Sequence, residues 1–190
     1  MWIVAGLGNP GREYAGTRHN AGFLFVKRLA RRWETEVKKR KYSARVAEVR
    51  RGGERLLLAL PQTYMNMSGV AVRELLAGYR VPPENAVVVY DDLDIVLGEI
   101  RVRRSGRPGS HKGLASIVVE TGTTQFPRIR LGIGPLDDRA DAVRFVLSSF
   151  SPEERAVLDG ALARAEEALD LIVGGRIDQA MTAFNRKGAA

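Results

Sequence analysis

The chain has 190 residues, 45% of them hydrophobic and 27% charged, which is enough to bury one core and too apolar for disorder throughout. It contains no cysteine, which excludes disulfides, a thiol nucleophile and Cys-ligated zinc or iron–sulfur centres, and fits a reducing compartment. The formal charge is +8, and 24 of the 30 basic residues are Arg; that bias suits bidentate phosphate binding by a polyanionic partner, with coding bias or a thermostable surface as the alternative.

No apolar run is long enough to cross a bilayer, and no basic region precedes the apolar start Trp2–Leu7, so neither a membrane span nor a secretory signal is expected. Residues 2–7 predict a buried strand, followed by the turn-rich Gly8-Asn9-Pro10-Gly11. Asn20 is placed to cap a helix whose apolar positions are Phe23, Leu24, Val26, Leu29, Ala30 and Trp33. Lys38-Lys39-Arg40-Lys41 predicts a solvated connector. Alternation from Ser43 to Arg50, a Gly52-Gly53 turn and the run Leu56–Leu60 predict a hairpin that ends at Pro61. Ser68 or Asn66 is expected to cap the next helix, which carries Val70, Val72, Leu75 and Leu76. Ala86–Tyr90 is continuously apolar and predicts a central strand, and Ile100–Arg103 another. A Gly-rich basic loop at 104–110 leads to a helix starting near Lys112. Ile129–Ile133 predicts a further strand. Ser151-Pro152-Glu153-Glu154 carries a capping-box start signal for a long helix ending at Gly174-Gly175, and a last helix holds Ile177, Ala180, Met181 and Phe184. Strands alternating with helices, with one hairpin, predict an α/β fold: a single domain over residues 1–190 with a central twisted mixed β-sheet flanked by helices.

Only two histidines are present, His19 and His111. Either can serve as a general base near neutral pH, although a lone loop histidine is more often inert. Asp91-Asp92-Leu93-Asp94 follows directly on the apolar strand 86–90, where α/β sheets place their ligands. An Asp there can orient a neutral imidazole; solvated turn acids or a magnesium site are the alternatives. Asn66 after the second hairpin strand and Asn9 after the first strand can position a carbonyl or a water, yet each also suits a cap or a turn. Gly6-Leu7-Gly8-Asn9-Pro10-Gly11 matches G-x-G-x-x-G formally. A dinucleotide loop must open a helix at once, whereas Pro10-Gly11 turns the chain and the helix waits until Asn20. There is no G-x-S-x-G elbow and no H-E-x-x-H.

Taken together, Gly6–Gly11 with Tyr14, Thr17-Arg18-His19-Asn20-Ala21-Gly22, Tyr64-Met65-Asn66 with Ser68-Gly69, Asp91-Asp92-Leu93-Asp94, Gly109–Leu114 and Arg128–Gly134 resemble, in order and spacing, the bacterial-type peptidyl-tRNA hydrolases. The resemblance covers essentially the whole chain. It implies an esterase that cuts the bond between a peptide's C-terminus and the 3′ ribose of tRNA, acting in the cytoplasm as a monomer, with no metal, cofactor, membrane or obligatory protein partner. It implies that His19 is the general base and Asp91 its orienter. Asn9 and Asn66 would position substrate at the scissile ester, and Tyr14 and Met65 would lie against the substrate. The family's loop Asn falls at Lys112, a departure in which an ammonium that only donates replaces an amide. Arg101, Arg103 and Arg130 would face the acceptor arm. A non-catalytic RNA-binding protein on the same scaffold is the alternative from another class, and a small-ester hydrolase indifferent to RNA a third.

Overall fold

The computed structural model describes residues 1–136 and 141–185. Seven strands form one mixed sheet: β1 (Trp2–Gly6), β2 (Lys39–Lys41), β3 (Ala44–Arg51), β4 (Glu54–Pro61), β5 (Ala86–Val96), β6 (Ile100–Arg103) and β7 (Arg128–Gly134), in the order β2-β3-β4-β1-β5-β7-β6. The central four, β4, β1, β5 and β7, run parallel, while β3 and β6 are antiparallel to their neighbours.

Of the six α-helices among the described residues, five cover the sheet. α1 (Ala21–Arg32), α5 (Pro152–Val173) and α6 (Ile177–Phe184) pack on one face, where Phe25, Leu29, Leu162 and Leu169 meet Val4, Val87 and Val89. α2 (Ser68–Tyr79) and α3 (Lys112–Thr121) cover the other, where Val72, Leu75, Leu114 and Ile117 meet Ile3, Leu57 and Val88. Both faces of β1 and of β5 as far as Asp91 are therefore dry, which is why Val87-Val88-Val89 is apolar without alternation. α4 (Ala142–Val146) is a single short helix that the sequence pattern does not announce.

Several local expectations differ from the structure. Lys39–Lys41 is a short edge strand rather than a free connector, because it finds β3 as a partner. Neither Asn66 nor Ser68 caps α2. Residues Met65–Met67 form a 3-10 turn, and the Ser68 hydroxyl donates to the Met65 carbonyl instead. Asn20 stands at the N-cap position of α1 without capping it. The capping box of α5 forms as expected, with the Glu154 amide donating to the Ser151 hydroxyl and the Ser151 amide to the Glu154 carboxylate.

β1 leads to strands on one side of the sheet, whereas β5 leads to strands on the other. Their carboxyl ends thus flank the point where the winding reverses, the crevice at which open α/β sheets bind ligands.

Candidate active site

A 3-10 turn, Arg18–Asn20, lies directly before α1 and carries His19 over the end of β5. Gly22 makes this approach possible: a Cβ there would overlap the Val89 carbonyl and both backbone polar groups of Leu7. With no side chain in the way, the Phe23 amide bonds the Leu7 carbonyl at 3.1 Å, and the first turn of α1 sits against β1.

Asn20 locks the loop after β1. Its Oδ1 accepts the Asn9 amide (2.8 Å) and its Nδ2 donates to the Asn9 carbonyl (3.0 Å). Asn9 in turn accepts the Met65 amide at its own Oδ1 (2.7 Å), which fixes the turn that presents Met65 and Asn66. With Oδ1 committed, the amide nitrogen is the part of Asn9 that a ligand can meet.

Asp91 is 2% exposed and lies between two imidazoles. His19 Nδ1 is 3.0 and 2.9 Å from its two carboxylate oxygens, and His111 Nε2 is 3.1 Å from Oδ1. The hydrogen-bond partners determine the tautomers. His111 stands at the N-cap of α3, where its Nδ1 accepts the Leu114 amide at 3.1 Å, so its proton is on Nε2 and is donated to Asp91. His19 donates from Nδ1, which leaves Nε2 as its proton acceptor. The three residues are close enough for their ligand atoms to meet one cation. With the Leu114 amide on Nδ1, His111 Nε2 is a donor to Asp91, so the arrangement present is a hydrogen-bonded network centred on the carboxylate.

Burial of Asp91 opposes its ionisation, but the two histidines outweigh it and hold the carboxyl well below the usual range. For His19, burial disfavours the imidazolium, the charge and hydrogen bond of Asp91 favour it more strongly, and the Lys112 ammonium opposes it; the net effect is a pKa above 6.5. Burial also pushes the Tyr90 phenol, beside His111, up to about 12.

These groups open into a cleft of about 780 Å³. Asn9, His19, Met65, Asn66, Asp91, Lys112, Arg103 and Arg130 all line it, so eight of the ten residues expected at the site converge there. Asn66 and Lys112 are exposed, and Met65 is a buried wall. Tyr14 does not line the cleft; its carbonyl holds Thr17 instead, accepting from the hydroxyl (2.9 Å) and the amide (3.0 Å). Arg101 lies outside it as well, because its guanidinium is engaged by Glu99 and the Ile100 and Phe184 carbonyls. Arg130 reaches the cleft while bonded through Nε to Asp92 at 2.7 Å. Asp92 also accepts the Asp94 amide within β5, where the pairing with β7 shifts register between Asp92 and Val96.

Residue patterns alone offer His111 as a possible base but not as a second partner of Asp91, and they give Arg18 no role. His111 reads as a loop histidine, and its only signal is the start of a helix. Arg18 is buried, with its guanidinium 4.6 and 4.9 Å from the rings of Phe145 and Phe150 and bonded to both Glu154 oxygens (3.0 and 2.8 Å). Its amide donates to the Ser148 carbonyl. Arg18 thereby ties the His19 turn to α4, whose Val143 and Val146 form an apolar wall of the cleft.

The family model for peptidyl-tRNA hydrolase matches residues 3–190. A peptidyl-tRNA hydrolase of Caldanaerobacter subterraneus subsp. tengcongensis is 46% identical over 97% of this chain and 100% of its own length, and one of Alkaliphilus metalliredigens is 44% identical over the same shares. Among solved structures, a peptidyl-tRNA hydrolase in complex with N-propanol superposes with a TM-score of 0.93 at 37% identity, covering 100% of this chain and 97% of that one. The Acinetobacter baumannii peptidyl-tRNA hydrolase gives 0.90 at 37% identity, over 96% and 93%.

Proposed function

This chain belongs to the peptidyl-tRNA hydrolase family and is an enzyme that hydrolyses peptidyl-tRNA, and from that premise we propose how its cleft performs the reaction. His19 is the general base. A water donates to His19 Nε2 and its oxygen attacks the ester carbonyl. The imidazolium that forms keeps its Nδ1–H on Asp91, which orients the ring and balances its charge. When the tetrahedral intermediate collapses, the ribose 3′ oxygen leaves with the proton from Nε2. The products are a peptide carboxylate and tRNA with a free 3′ hydroxyl.

The amides of Asn9 and Asn66 are the donors for the carbonyl oxygen as it gains charge. Lys112 adds a cation at the same mouth, able to meet that oxygen or a backbone phosphate. Met65 and the α4 wall take the peptide end through apolar contact, and Tyr14 acts indirectly by bracing the loop before His19. Arg103 and Arg130 take phosphates of the acceptor arm, contacts that supply affinity without reading sequence and so admit many tRNAs; Arg101, directly opposite Arg130 on the same sheet face, adds its charge beside them. One continuous sheet with its two-sided core supports reading the chain as one catalytic domain. On this reading the chain acts as a monomer without an obligatory protein partner or cofactor. No helix among the described residues is long and apolar enough to cross a membrane, and a substrate made in translation supports a cytoplasmic place of action.

The observation that carries the mechanism is the pair of short contacts between His19 Nδ1 and Asp91 inside the cleft. The test is hydrolysis of N-acyl-aminoacyl-tRNA by wild type and His19→Ala, with tRNA affinity measured in parallel. A loss of turnover by roughly three orders of magnitude or more with affinity retained is expected. Near-normal turnover refutes the base assignment.

A further inference from the structure

Positive charge gathers in a second place besides the substrate cleft. Residues 27–55 contain twelve basic and four acidic residues, whereas residues 101–130, which supply most cations of the cleft, contain seven and one. A local excess of +8 therefore lies on the end of α1 and on β2, β3 and the start of β4. These strands form the sheet edge opposite β6 and β7, which carry Arg103 and Arg130. β2 lies four strand spacings from β5, about 19 Å away.

Within that edge the cations form a ridge on the α1 side. Lys27 and Arg31 are one helical turn apart on α1, and both are exposed. Arg40 and Arg45 are directly opposite each other across the β2–β3 pair. Arg45 also opposes Leu60, which belongs to the core beneath α1, so these arginines share the α1 face. Arg45 is close enough to Lys27 to disfavour its protonation, an effect added to that of burial. Lys27, Arg31, Arg40 and Arg45 make no ion pair among the described residues, unlike Arg32 with Glu166 or Arg55 with Glu48. Like charges directly opposite on paired strands destabilise a sheet. The free protein thus carries an unrelieved repulsion that a line of phosphates would neutralise.

We propose that this α1–β2–β3 edge is a second RNA-binding surface, taking the phosphate backbone of an RNA helix separate from the tRNA whose 3′ end occupies the cleft. The inference rests on the reading of the protein as an enzyme of RNA. An RNA helix fits better than a lipid surface because the ridge has no exposed large apolar side chain beside it on the α1 face, whereas interfacial binding needs one to insert. A separate RNA fits better than the substrate's own acceptor stem because the ridge and the arginines of the cleft lie on opposite edges of the sheet.

The test uses a blunt-ended RNA duplex with 5′-hydroxyl ends and the full-length protein carrying Lys27→Gln, Arg31→Gln, Arg40→Gln and Arg45→Gln together. Duplex affinity is followed by fluorescence anisotropy across a salt series. Hydrolysis of N-acyl-aminoacyl-tRNA is assayed separately, so that a failure of this surface and a failure of the catalytic reading are told apart. For a ridge that meets four phosphates, the slope of log K against log salt should flatten by roughly 3.6, with hydrolysis unchanged and no inhibition of wild-type hydrolysis by the duplex. Removing the repulsion should leave the variant as stable as the wild type or more so, so misfolding is read directly from its melting temperature. The Arg40→Gln, Arg45→Gln pair alone should give about half the effect. An unchanged slope overturns the proposal. So does duplex binding lost only with Arg103→Ala and Arg130→Ala, ridge-dependent binding to phosphatidylserine vesicles but not to the duplex, or a ridge effect confined to KM for whole tRNA.

Discussion

Replacing Asp91 with Asn keeps the size of the side chain and removes its charge. The carboxylate accepts from two ring nitrogens at 2.9–3.1 Å; an amide has one oxygen to accept with and turns its NH2 toward the other ring's N–H. One charge-assisted bond is lost, about 1.5–3 kcal/mol, and the imidazolium that His19 forms in the reaction loses its counter-charge, costing about as much again. Together these predict a fall in kcat of roughly 10²- to 10⁴-fold. The pH dependence gives the sharper signature. His19 acts when Nε2 is unprotonated, so activity in the wild type should fall as pH drops through a value above 6.5. In the variant only burial and the Lys112 charge remain to act on the ring, and both lower its pKa, so the acid limb should move below 6.5. Single-turnover hydrolysis against pH, with the His19 ring titrated by NMR, measures both effects. An acid limb that keeps its wild-type position in Asp91→Asn would refute the coupling of the two residues, whatever happens to the rate.

Three further expectations follow from the same geometry. Glu154→Ala leaves the buried Arg18 guanidinium without its carboxylate and should destabilise the fold by roughly 2–4 kcal/mol, read as a lower urea midpoint; an unchanged midpoint would mean that the cluster of Arg18, Phe145 and Phe150 stands without it. Arg103→Ala should weaken tRNA binding and flatten its salt dependence by about one unit of slope, and Arg130→Ala should do so as well while freeing Asp92; an identical slope would remove either from the phosphate contacts. Stability should decline in acid as Asp91 is protonated. Its carboxyl is lowered from 3.8, so its contribution is in place above that value and is lost as pH falls toward the depressed one. Urea titrations of wild type and Asp91→Asn should therefore converge at the acid extreme, and a constant gap between them would contradict the linkage.

The elements were largely legible because their signals are local: a Pro-Glu-Glu start for α5, a Gly-Gly turn between β3 and β4, and unbroken valines for a strand dry on both faces. The site was legible in part, as a set of segments sharing strand ends. Contacts between distant segments were not. Asn20 looks like a cap until Asn9 is found eleven residues away in the chain but against it in space, and His111 looks like a loop residue until α3 is seen to aim it at Asp91. The family resemblance implied Tyr14 and Arg101 at the cleft, and neither lines it. Which way a side chain turns depends on partners such as Glu99 and Phe184 that no spacing reveals. The charge excess was legible as a sum, but not its division between the cleft and the far edge of the sheet.

The missing methyl at position 22 also limits how far the enzyme can drift. Alanine there would lift the leading turn of α1 off the parallel strands by the depth of one carbon atom, and the imidazole would rise with it. Reaction rates fall steeply with ångström-scale errors in reach. A hydrogen atom that never meets substrate, proton or water therefore sets the height at which the chemistry takes place, and random mutagenesis scored by turnover should find that site as intolerant as the histidine it supports.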